Sequence, residues 1–214
     1  MGFQRARTET QIQKRTEEIT AAAAKLFDEG GHEAVSFTAI SELTKFTRPT
    51  IYKYFDTKEA ILLAILADEF REWAEDLLQQ FKLDQHYTAL EISIIWSETL
   101  AKHQRLNSLQ SVLYTVLERN VSLDVMVNFK KQLFTNVMPA YRLLSALFPN
   151  VSEYDLQHFM MQQYAITIGT YSMSQLTPLQ EAAMKQLYPD YQGLDFAAEY
   201  QQIIYPLLLA LEGK

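Results

Sequence analysis

Apolar residues recur along this chain at steps of three and four, the period of an α-helix, and almost nowhere at steps of two. Ile12, Ile19, Ala22, Ala23, Leu26 and Phe27 fall on one such stripe. Thr10 with Gln13 reads as a capping box at its start, and Gly30-Gly31 reads as its stop. A short helix is expected from Thr38, whose hydroxyl can cap it, with Ile40 and Leu43 facing inward. Lys45-Phe46-Thr47 breaks the pattern. A second short helix then covers Arg48 to Phe55, with Thr47 as cap and Pro49 in the first turn, where a missing N–H costs nothing.

After Asp56-Thr57 a long helix is expected from Lys58 into the low 80s, through Ile61, Leu62, Ile65, Leu66, Phe70 and Trp73. Further helices are expected at 87–104, 106–120, 123–147, 152–175, 179–187 and 194–211. Pro139, Pro149, Pro178 and Pro189 mark a kink or breaks. No strand period, internal repeat or low-complexity stretch interrupts them. The pattern predicts an all-α chain, a small N-terminal bundle over 1–60 followed by a larger helical body over 61–214.

Composition narrows the class. The 214 residues can bury a substantial core, and 48% hydrophobic with 21% charged residues is ordinary globular usage. Six Gly and six Pro are few for a turn-rich sandwich or barrel. The chain has no Cys, which removes disulfides, thiolate metal sites and Cys nucleophiles and fits a reducing cytoplasm. The charged start, Met1 to Arg7, is followed by no apolar leader segment, and Ala6 stands where myristoylation wants Ser or Thr. No run approaches the roughly 18 apolar residues of a membrane span. A soluble cytoplasmic protein is expected.

The net charge of −7 is unevenly spread. Residues 1–60 hold nine Lys/Arg and nine Asp/Glu, whereas 61–214 hold ten and seventeen. Within 38–58, Lys45, Arg48, Lys53 and Lys58 outnumber Glu42 and Asp56. An acidic body behind a locally basic head repels DNA everywhere except at the head.

Catalytic motifs are mostly absent from the chain, although a folded site can assemble residues distant in sequence. There is no G-x-S-x-G elbow, no phosphate-cradling G-x-x-x-x-G-K-[ST] loop and no G-x-G-x-x-G. His32, His86, His103 and His158 include no i,i+4 pair, and no metal-ligand spacing or cofactor motif is found. The informative stretch is 36–55. Two short helices joined by a three-residue break form a helix-turn-helix, which presents the start of its second helix to base edges in the major groove. That helix displays Arg48, Thr50, Tyr52, Lys53 and Tyr54, donors for phosphate and guanine beside methyl and ring surface for thymine. A plain helical corner in a ligand-binding protein or enzyme is the alternative reading.

Residues 16–63 resemble the N-terminal DNA-binding domain of the TetR/AcrR family of transcriptional regulators. The matching pieces are Ile19, Ala22-Ala23, Leu26-Phe27 and Gly30, then Phe37-Thr38 and Ile40, then Thr47, Thr50-Ile51-Tyr52-Lys53-Tyr54-Phe55 and Lys58-Glu59-Ala60-Ile61-Leu62. The Tyr-x-Tyr-Phe-x-x-Lys-Glu run at 52–59 is the most specific of these. Where the family has Gly, an aliphatic residue and Ser at the turn, this chain has Lys45, Phe46 and Thr47. A left-handed Lys45 would cost about 1 kcal/mol and could bring an extra ammonium to a phosphate.

The resemblance implies roles residue by residue. Thr38 and Lys58 would hold DNA phosphates, while Arg48, Pro49, Thr50 and Lys53 would face the groove. Tyr52 and Tyr54 would touch backbone at its edge. Phe27, Ile40, Leu43, Ile51 and Phe55 read as core. A homodimer on a palindromic double-stranded operator is implied, formed by the last two long helices, for which 154–176 and 194–211 are the candidates. A small-molecule inducer is implied as well. Trp96, His103, Tyr114, Met126, Phe129, Met160, Tyr164 and Tyr171 mix apolar surface with polar tips as ligand sites do. The acidic body favours a neutral or cationic apolar inducer, unless an Arg such as Arg119 or Arg142 reverses the local preference.

Overall fold

The computed structural model describes residues 2–82 and 84–213, with side chains from Thr10 onward. Met1 and the side chains of the charged start therefore lie outside the described residues. All regular structure among the described residues is helical. In order it comprises α1 (Gly2–Ala34), α2 (Phe37–Leu43), α3 (Arg48–Ile51), α4 (Lys58–Gln79), α5 (Ala89–Lys102), α6 (Gln104–Leu113), α7 (Leu123–Leu147), α8 (Glu153–Ser174), α9 (Pro178–Leu187) and α10 (Phe196–Glu212), with a 3-10 turn at Leu117–Arg119.

Local chemistry accounts for most boundaries. Gly30 and Gly31 leave helical geometry, Gly31 at φ 65°, so the long first helix kinks where the glycines predict a stop. Its other end begins at Gly2, so Thr10 and Gln13 are helix interior rather than a capping box. Thr88 and Glu91 form a complete capping box on α5, and Thr177 and Gln180 another on α9. Ser152 and Asp195 cap α8 and α10. Pro139 lies inside α7, and Pro178 opens α9. The helix expected over 106–120 ends at Leu113 and gives way to turns.

The chain forms two compact units, 1–68 with 112–132, and 69–111 with 133–214. They do not follow a single cut after residue 60, because the middle segment 112–132 returns to the N-terminal unit. In that unit Ile19, Ala23, Val35, Ile40, Ile51, Ile61 and Leu62 are fully buried. Ile12 and Leu43, expected to face inward, are 48% and 47% exposed.

In the second unit α10 packs against α5 and α8. Trp96 lies edge-to-face between Trp73 (5.6 Å) and Phe159 (5.9 Å). The Tyr200 hydroxyl donates to Gln163 Oε1 at 2.7 Å, and burial pushes its pKa well above that of an ordinary phenol. No described helix is long and apolar enough to cross a membrane.

Candidate nucleic-acid interface

The reading head starts at Ser36, not Thr38. Ser36 is the N-cap of α2, its hydroxyl accepting from the Ala39 amide at 3.1 Å. Thr38 therefore sits one position inside the helix with its side chain exposed. A cap-type residue directly before the apolar Phe37 was the sequence signal for this start.

The turn is stitched by Thr44. Its backbone and hydroxyl both donate to the Ile40 carbonyl, and its hydroxyl accepts from the Phe46 amide at 3.3 Å. No non-glycine residue among those described has a positive φ, so Lys45 makes the turn without the left-handed conformation expected of it. Thr47 occupies the N-cap of α3, but its hydroxyl pairs with that of Thr50 at 3.0 Å rather than with a helix amide. The α3 helix ends at Ile51, and bonds from Lys53, Tyr54 and Phe55 to Thr50 and Ile51 carry the chain onward as turns.

Buried Ile40 and Ile51 fix α2 and α3 in the core, each contributing about 1.5–3 kcal/mol by burial. That anchorage turns the polar side chains outward. Thr38, Lys45, Arg48, Pro49, Tyr52 and Lys53 are exposed, while Thr50, Tyr54 and Lys58 are half-buried. Arg48 Nη1 donates to Thr38 Oγ1 at 3.4 Å, and Tyr52 meets Phe37 edge-to-face at 4.4 Å. Both contacts hold these side chains against α2.

Two further residues support the head, and neither was singled out from the sequence. Arg15 on α1 donates to the Tyr54 hydroxyl at 3.1 Å, a bond that raises the pKa of the guanidinium. His32 places Nε2 2.9 Å from Glu59 Oε1, while its carbonyl accepts from Lys58 Nζ. Partners 39, 27 and 26 residues apart leave no local signal.

Two matches with known sequences accompany this geometry. Residues 19–65 match the bacterial regulatory proteins of the tetR family, and residues 67–212 match the tetracyclin repressor-like C-terminal domain. The chain belongs to the TetR family. It is a DNA-binding transcriptional regulator, in a family of regulators rather than enzymes. No curated protein matches it. A solved structure of a proposed tetR family transcription regulator from Shewanella sp. PV-4 has the same fold, with TM-score 0.52 at 12% identity over 91% of this chain and 96% of that one.

The eight residues considered for an inducer fall into both units of this TetR-family chain. Tyr114, Met126 and Phe129 belong to the first, and Trp96, His103, Met160, Tyr164 and Tyr171 to the second. Trp96 is wholly buried among aromatic rings. His103 ends α5 with Nε2 3.0 Å from Asp76 Oδ2. The Tyr171 hydroxyl pairs with Ser108 at 2.9 Å and donates to the Gln104 carbonyl. Met160 and Tyr164 are half-buried on α8, and Tyr164 lies 6.3 Å from the Phe70 ring. Tyr114 is half exposed under the ammonium of Lys130, which also pairs with Glu118. Met126 is half-buried, and Phe129 lines a hollow that none of the other seven touches.

Proposed function

We propose that this chain is a cytoplasmic homodimeric repressor whose hold on a palindromic operator is released by a small molecule. The observation that carries the reading is the set of exposed Arg48, Pro49, Tyr52 and Lys53 with half-buried Thr50, on a short helix and the turn that follows it, anchored by buried Ile51. Arg48 offers a fork for guanine O6 and N7, and the Thr50 methyl suits thymine. Thr38, Tyr52, Tyr54 and Lys58 serve the phosphate backbone, with Lys45 as an additional ammonium beside it.

Dimerisation is assigned to α8 and α10. Apolar residues surround α8 instead of lining one stripe, and its exposed residues include the uncharged Tyr154, Met161, Ala165, Gly169 and Met173. On α10, Ile203, Pro206 and Leu209 are likewise exposed. Faces of this kind are buried in dimers. Release then works by population shift, as ligand binding favours a spacing of the two α3 helices that no longer matches major grooves one turn apart, about 34 Å.

The test is fluorescence anisotropy with duplexes tiled across the DNA upstream of the protein's own gene. Tight binding to one inverted repeat, together with derepression of a reporter when the gene is deleted, is expected. Binding of all duplexes alike at every salt concentration would return the N-terminal bundle to a structural role.

A further inference from the structure

Within the N-terminal unit, two hollows meet along Asp56, Ala60 and Val125. The larger, about 330 Å³, is walled by Asp56 and Thr57 on one side and by the segment from Arg119 to Ser122 on the other. The smaller, about 170 Å³, continues along Leu63 and Phe129.

Lys58, Glu59, Glu118 and Lys130 nearby in sequence are all engaged with other groups. Arg119 and Asp56 are exposed, line the same hollow, and have no hydrogen-bond or ion-pair partner among the described residues, not even each other. The adjoining helix starts are already served, since Thr57 accepts from the Ala60 amide at 3.1 Å and Ser122 from the Val125 amide at 3.4 Å. The hollow thus offers one free cation, one free anion and a shared apolar floor.

We propose that this groove binds a small zwitterion with an apolar side chain, a free amino acid of the leucine or phenylalanine type. Its carboxylate pairs with the planar fork of Arg119, its ammonium with Asp56, and its side chain lies over Ala60 and Val125 toward Phe129. A simple anion meets Asp56 and a simple cation meets Arg119, so each is penalised where the zwitterion is satisfied twice. The larger hollow falls within the roughly 300–1,000 Å³ range of small-molecule sites. The inference concerns binding alone and does not rest on the proposed release of DNA.

The test is isothermal titration of the unaltered chain with L-phenylalanine, L-leucine, 3-phenylpropionate and 2-phenylethylamine. Both amino acids are expected to bind, and each truncated phenyl analogue to bind at least roughly tenfold more weakly than L-phenylalanine. Arg119→Gln should bring L-phenylalanine down to the level of 2-phenylethylamine, and Asp56→Asn down to that of 3-phenylpropionate. Circular dichroism establishes that each variant is folded, and the comparison of analogues on the unaltered chain needs no variant. The proposal is overturned if neither amino acid gives heat up to roughly 10 mM, if the three phenyl ligands bind equally, or if both folded variants retain full affinity.

Discussion

Lys58 donates its ammonium to the carbonyl of His32 at 2.9 Å, joining the end of α1 to the start of α4. The next residue, Glu59, reaches the ring of the same histidine. One cation thus serves as a bolt within the reading head, at a position implied to hold a DNA phosphate as well. The two duties make separable predictions.

Lys58→Ala should lower the melting temperature, through loss of a hydrogen bond worth about 1 kcal/mol at this half-buried position. It should also weaken binding to all duplexes about equally and reduce the salt slope by roughly one unit. Calorimetry reads the first effect and salt-dependent anisotropy the second. A change in sequence preference would contradict the backbone role.

Arg48 rests on Thr38 Oγ1 in the free protein, and leaving it for a base edge sacrifices only a long, exposed hydrogen bond. Arg48→Ala should therefore leave stability nearly unchanged. On the best operator it should cost about 1–3 kcal/mol and flatten discrimination between operator and single-base variants. Anisotropy on a panel of point-mutated duplexes measures both. Uniform weakening across the panel would move base reading away from this residue.

Gly169 is exposed and has open space where a Cβ would stand, so a side chain can start there without displacing its neighbours. Gly169→Glu should leave the helical content of the chain intact. In the proposed dimer seam the unpaired carboxylate would cost roughly 3–5 kcal/mol, giving monomers in sedimentation and loss of operator binding. A stable dimer with full DNA affinity would place the interface elsewhere.

Glu91 accepts from both the backbone and the hydroxyl of Thr88, and these bonds hold its pKa below the ordinary carboxylate value of 4.5. Because the folded value is the lower one, the carboxylate form stabilises the fold above the unfolded pKa. That stabilisation fades as the pH drops through the folded value. Glu91→Gln should therefore be less stable than the parent at neutral pH, with the gap closing under acid. Paired urea titrations at several pH values check the trend. A gap independent of pH would assign the effect of Glu91 to packing.

Most of the long helices are legible in the residue pattern alone. The helices at 58–79, 123–147 and 196–212 repeat apolar residues at three and four, and that period is set by the geometry of one turn. The helix-turn-helix was legible too, because its break and the 52–59 run lie close together in sequence. The fold alone set which face of a short helix is buried and which side chains pair across long separations. Leu43 is apolar on a helix of two turns, too short for its stripe to fix which face is buried, and it lies outside. Arg15 with Tyr54 and Lys58 with His32 depend on where the fold brings separate segments together. A side chain's partner is set by distance in space, and a repeat of three to four residues carries no record of it.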